Sequence, residues 1–156
     1  MIKKILVAID GSKPSIRALD YALDLAEKLD AEVVLLSVIP HVLYPTFSEE
    51  DIDEEESETI ITPGEMDRFL SKLRSNYQNV LRTGRRRSHN RKPSVKVSTK
   101  LVEGQPADMI VETAKKGGFD LIVMGSRGLS GLTEFFLGSV TRRVANLCTC
   151  PLLIIK

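Results

Sequence analysis

The stretch "KKILVAIDGS", Lys3 to Ser12, changes character at Asp10. Ile5 to Ile9 are apolar without interruption and rich in β-branched residues, as a strand covered on both faces requires. Asp10 and Gly11 then supply turn residues, Ser12 an N-cap and Pro14 a first-turn proline, so a helix follows at once. A strand feeding directly into a helix predicts a layered α/β architecture if the pattern recurs.

It recurs. The apolar runs are 2–9, "AEVVLLSVI" (31–39), "SVKVSTKLV" (94–102), "DLIVMG" (120–125) and "PLLIIK" (151–156). In the third, Val95, Val97, Thr99 and Leu101 alternate with Lys96, Ser98 and Lys100, which predicts one wet face near a sheet edge. Helical patterns fill the gaps. Ile16, Leu19, Leu23 and Ala26 form a stripe over 12–30. Thr62, Pro63 and Glu65 make a capping box that opens a second helix, with Met66, Phe69, Leu70, Leu73, Tyr77, Val80 and Leu81 as its stripe. A third helix is expected from about Pro106 to Lys116, and a fourth from Gly138 or Ser139 to Leu147, halted by Pro151. The order βαβαβαβαβ implies one domain over 1–156, a parallel five-stranded sheet with right-handed crossovers, and helices on both faces. The insert 40–61 and the basic stretch 82–93 are expected to be mobile loops.

A chain of 156 residues suffices for one buried core. With 22 basic and 21 acidic side chains its net charge is +1, which argues against a general nucleic-acid or membrane binder. No run reaches the ~18 apolar residues of a membrane span, and Asp10 ends the N-terminal apolar run too early for a signal peptide. Cys148 and Cys150 have no second pair to complete a zinc site and read as small apolar residues, so a cytoplasmic protein is the expectation. The acidic 48–58 and basic 82–92 segments flank the second helix with the polarity that its dipole favours. They are either solvated loops or a docking surface for a protein partner. No aromatic platform accompanies Arg85, Arg86 and Arg87, so nucleic acid is not the expected ligand.

In open α/β sheets ligands bind beyond the carboxyl ends of the strands, where the strand order reverses. If the first and fourth strands are neighbours, Asp10-Gly11 faces "MGSRGLSGLTEFFLGSVT" (124–141) across that crevice. Gly138-Ser139-Val140-Thr141 opens a helix and offers free amides and hydroxyls to an anion, while Arg142 and Arg143 lie farther along and are expected to face solvent, the alternative being that one neutralises phosphate charge. Neither GxxxxGK[ST] nor GxGxxG occurs. His41 and His89, the two histidines, stand far from the glycines in sequence, leaving no obvious general base.

Gly125-x-x-Gly128, nine residues, then Gly138-Ser139 resembles the ATP-binding signature of the universal stress protein family. "KKILVAIDGS", "DLIVMGSRGLSGLTEFFLGSVT" and "VANLCTCPLLIIK" extend the resemblance over nearly the whole chain, and the charged insertions between Pro40 and Pro93 depart from it. The resemblance implies a Rossmann-like sheet in the order 3-2-1-4-5 with ATP, or ADP or AMP, between strands 1 and 4. It places Ala8 and Ile9 at the base pocket, Asp10 near the ribose or a bound Mg²⁺, and Val38 against adenine. Met124, Gly125, Arg127 and Gly128 would form the turn at the ribose and phosphates. Gly138, Ser139, Val140 and Thr141 would hold the phosphate chain through amides and hydroxyls. For Val38 and Met124 simple core packing, and for Asp10 a turn role, are the competing readings.

Leu129, Leu132, Phe135, Phe136 and Leu137 are expected to pin the loop to the body or to a second subunit. The strand 151–156, apolar up to Lys156, is expected to be covered in a homodimer. The implied function is an ATP-binding stress-response or signalling module whose output is conformational. The alternatives are a slow ATP hydrolase or phosphoryl-transfer enzyme using Asp10 and Mg²⁺, and a nucleotide-independent interaction module acting through the charged segments.

Overall fold

The structure is a computed structural model that describes residues 1–41, 62–129 and 137–156. Its elements alternate strictly: β1 (Lys4–Ala8), α1 (Lys13–Leu29), β2 (Glu32–Ile39), α2 (Pro63–Arg91), β3 (Val97–Glu103), α3 (Pro106–Gly117), β4 (Leu121–Gly125), α4 (Ser139–Leu147) and β5 (Leu152–Ile155). The five strands form one sheet in the order β3-β2-β1-β4-β5, and every neighbouring pair is parallel. The expected order and the edge position of the third strand are both observed.

Register explains the continuous apolar runs. Val7 pairs with Leu35 on one side and Val123 on the other, and all three are fully buried on the α1 face. Leu6, one residue earlier, turns the other way and packs with Ile122, Ile110 of α3 and Val144 of α4. The alternation of a strand therefore feeds two cores, one beneath α1 and α2, the other beneath α3 and α4. Each fully buried aliphatic side chain stabilises the fold by about 1.5–3 kcal/mol.

Two expected boundaries need correction. β3 starts at Val97 rather than 94, because Val95 N–H bonds back to Lys92 O and closes a turn first. The basic segment 82–93, expected to be a loop, forms the last turns of α2 through Arg91. Its inward face is Gly84 and Ser88, small residues that follow the buried Leu81 and give no apolar periodicity to read. On the neighbouring side Arg87 makes a two-pronged contact with Asp20 (2.7 and 2.7 Å), and Arg91 reaches Asp24 at 3.0 Å. Lys92 continues the ladder to Glu27 and Asp24. The positive charge is thus partly neutralised by α1. The insert 42–61, including all of the acidic segment, lies outside the described residues, as do Gly131, Leu132, Phe135 and Phe136.

Candidate functional site

β1 and β4 are adjacent and their carboxyl ends open into a cleft of about 260 Å³, near the lower end of small-molecule sites. All twelve residues that the sequence singled out line it. Ala8, Ile9 and Asp10 come from the end of β1, and Val38 from β2. Met124, Gly125, Arg127 and Gly128 come from β4 and its turn, and Gly138 to Thr141 from the start of α4. Val38 and Met124 also belong to the second core, at 9% and 5% exposure. The two readings of these residues are compatible, since one face of each side chain packs inward while another forms a wall.

The glycines act through close approach. Gly125, Gly128 and Gly138 have no positive φ, in contrast to Gly11 at +88°. A Cβ on Gly125 would sit 2.8 Å from the carbonyl carbon of Pro14 and from Ser15 N, inside the first turn of α1. One on Gly128 would sit 2.8 Å from Asp10 Oδ2. One on Gly138 would touch Arg127 Cα and Ser126 O at 3.4 Å, and Gly138 N–H donates to Ser126 O at 2.8 Å. The two ends of the signature, separated by nine residues in sequence, therefore meet in space.

α4 begins without a side-chain cap. Its first backbone bond runs from Arg142 N–H to Gly138 O, so the amides of Ser139, Val140 and Thr141 precede the ladder and have no acceptor among the described residues. These donors carry the positive end of the helix dipole into the cleft. Thr141 departs from expectation. Its side chain is buried and its hydroxyl donates to Gly125 O at 3.0 Å, so that O–H ties α4 to β4, and only its amide is left for a ligand.

Asp10 is the single carboxylate lining the cleft among the described residues. Its Oδ1 accepts the Ser12 amide at 2.9 Å, which is the turn role given above as the competing reading, while Oδ2 remains on the Gly128 side. One available carboxylate oxygen is a poor cage for a bare cation, and no group of three or more metal-ligating side chains occurs among the described residues. A Mg²⁺ that arrived on phosphate oxygens would still fit, because Mg²⁺ commonly takes one protein carboxylate and keeps its waters. In that arrangement Asp10 would hold it.

Sequence reasoning missed Ser15, Leu36, Pro106, Ile110, Leu129 and Tyr77 in the lining. Most are core residues whose strand or helix ends at the cleft, and no local pattern marks them. Tyr77 was read only as part of a core stripe, yet burial, with a further contribution from the Asp10 charge, pushes its phenol above the ordinary value. Leu129 and Leu137 are 68% and 40% exposed. β5 pairs with β4 and leaves its other edge open among the described residues. No helix among the described residues is long and apolar enough to cross a membrane.

A family model for the universal stress protein family matches residues 1–156. Universal stress protein YxiE of Bacillus subtilis is 36% identical over 156 residues, spanning 100% of both chains. Among solved structures, the protein MJ0577 has a TM-score of 0.76 at 30% identity, over 100% of this chain and 96% of its own. A universal stress protein solved in complex with cAMP has a TM-score of 0.69 at 25% identity, over 99% of this chain and 97% of its own.

Proposed function

The chain belongs to the universal stress protein family, and from that premise we propose that it is an ATP-binding stress-response or signalling module, homodimeric through β5, whose output is conformational. The observation that carries the reading is the uncapped N-terminus of α4 opposite Asp10 in one cleft at the β1/β4 crevice. The amides of Ser139, Val140 and Thr141, with the Ser139 hydroxyl, take the phosphates. Gly125 and Gly128 let the chain pass close to them, and Arg127 stands at the same turn. Ala8, Ile9, Val38 and Met124 form the apolar wall for adenine, and Asp10 takes the ribose or a phosphate-bound Mg²⁺. The solved relative with cAMP supports an adenine nucleotide as the ligand class.

β5 supports the dimer: it is half-buried, apolar and unpaired on one side among the described residues, which is the edge a second copy would cover. The exposed Leu129 and Leu137 would join that contact.

Thermal unfolding with and without ATP and Mg²⁺ tests the binding. A ligand at about 100 times its dissociation constant adds about 2.7 kcal/mol. That corresponds to roughly 5–10 °C in a domain of this size. An unchanged midpoint in millimolar ATP, ADP, AMP and cAMP refutes the proposal.

A further inference from the structure

Tyr77 is the one residue of α2 that lines the cleft among the described residues. The helix delivers it there by a definite route. Gly84, Leu81 and Val80 lie on the face that docks α2 against the sheet and the β1–α1 turn. A Cβ at Gly84 would come within 2.8 Å of Ile9 Cδ1, and Val80 lies 3.2 Å from where a Gly11 Cβ would stand. Tyr77, two turns before Gly84 on that same face, extends past the end of β1, where Asp10 also lines the cleft. Its side chain is half-buried, and it brings a hydroxyl to a cleft whose lining also includes the apolar Ile9 and Val38.

We propose that Tyr77 is a nucleotide-contacting, specificity-determining residue that closes the cleft beside Asp10 and gives a hydrogen bond from its phenol to a ribose hydroxyl. The assignment rests on the adenine-nucleotide reading of the cleft. Two geometric points support it. Val80 of α2 packs at Gly11 in the β1–α1 turn, so Tyr77, one turn earlier, enters the cleft from the β1 side, where Asp10 and the proposed sugar position lie, and not from α4. Asp10 can only accept while ionised, whereas Tyr77 can donate, so the pair offers complementary partners to the two hydroxyls of a ribose. The shift in the phenol's acidity fits this placement: burial and the Asp10 charge both hold the proton on Tyr77.

The test is a set of calorimetric titrations of the wild type, Tyr77→Phe and Tyr77→Ala with ATP, 2′-deoxy-ATP and 3′-deoxy-ATP. Tyr77→Phe keeps the ring and should fold as the wild type does. It is expected to weaken ATP about 5-fold, the worth of one ordinary hydrogen bond, and to leave one of the two deoxy analogues unaffected. Tyr77→Ala should weaken all three. If Tyr77→Phe lowers all three affinities by one common factor, or none of them, the phenol makes no sugar contact and the assignment is overturned. Failure of the wild type to bind ATP at all overturns the nucleotide reading itself, an outcome separable from failure of Tyr77 alone.

Discussion

Gly125→Ala and Gly128→Ala are chemically identical changes three residues apart, and the structure assigns them opposite consequences. At Gly125 the new methyl would lie 2.8 Å from three atoms of Pro14 and Ser15. Two of these are backbone atoms, in a turn that Ser15 Oγ–H to Ser12 O (2.9 Å) already fixes. Nothing there can swing aside, so β4 and α1 must separate. Overpacking of this kind costs about 1–3 kcal/mol, and the rigid neighbour places Gly125→Ala at the upper end. In thermal unfolding that is a loss of about 4–10 °C. At Gly128 the methyl meets only Asp10 Oδ2, the tip of a side chain at an exposed turn. The carboxylate can rotate away, giving up its bond to the Ser12 amide, which water can then satisfy. Stability should fall by less than about 1 kcal/mol. Affinity for ATP should fall much further, because a displaced Asp10 forfeits a charged hydrogen bond worth about 1.5–3 kcal/mol, or roughly 10- to 100-fold. Unfolding midpoints without nucleotide and titrations with ATP separate the two. Equal midpoints for the variants, or full ATP affinity in Gly128→Ala, would refute the reasoning.

Ser139→Pro should remove one cradle amide at little structural cost, since Ser139 is the first residue of α4 and Gly138 already holds φ −59° and ψ 155°, the geometry that precedes a proline. The expected result is an unchanged midpoint with ATP binding weakened about 3- to 10-fold, whereas Ser139→Ala reports the hydroxyl alone. Asp120 accepts the amides of Lys3 and Lys4 at 2.8 and 2.9 Å, and those bonds hold its carboxyl below the usual carboxylate range. Its contribution is therefore present above the unfolded value, about 4, and is lost as pH falls through the folded one. Asp120→Asn should flatten the acid limb of a pH–stability curve, and a limb as steep as the wild type's would count against it. Asp20 and Arg87 should show a coupling of about 0.5–1 kcal/mol in a double-mutant cycle at low salt, shrinking in 1 M salt. Zero coupling at low salt would mean that the α1–α2 ladder contributes nothing.

The fold was legible where burial is uniform. β1, β2 and β4 are continuous apolar runs because both faces are covered, and the caps at Ser12 and Thr62 are local chemistry that needs no tertiary context. Legibility failed in the second half of α2. There the stabilising partners, Asp20, Asp24 and Glu27, lie more than sixty residues away in sequence, and the buried face is glycine and serine. A rule that reads helices from large apolar side chains sees only a charged loop. The site followed the same division. The glycine spacing pointed to residues that do line one cleft, but it could not show that Thr141 turns its hydroxyl to Gly125, since that choice depends on how α4 docks against β4.

Tyr77 shows why the two failures are connected. Its place in the cleft depends on α2 lying close to the sheet, and that closeness depends on Gly84 having no side chain to hold Ile9 and Leu35 away. The ladder from Arg87 to Lys92 then holds the far end of the same helix to α1, whose own N-terminus carries Ser12 beneath Asp10. A helix so held spans from a charged surface to the cleft. The basic segment, read from sequence as separate from the site, is mechanically joined to it by three turns of helix.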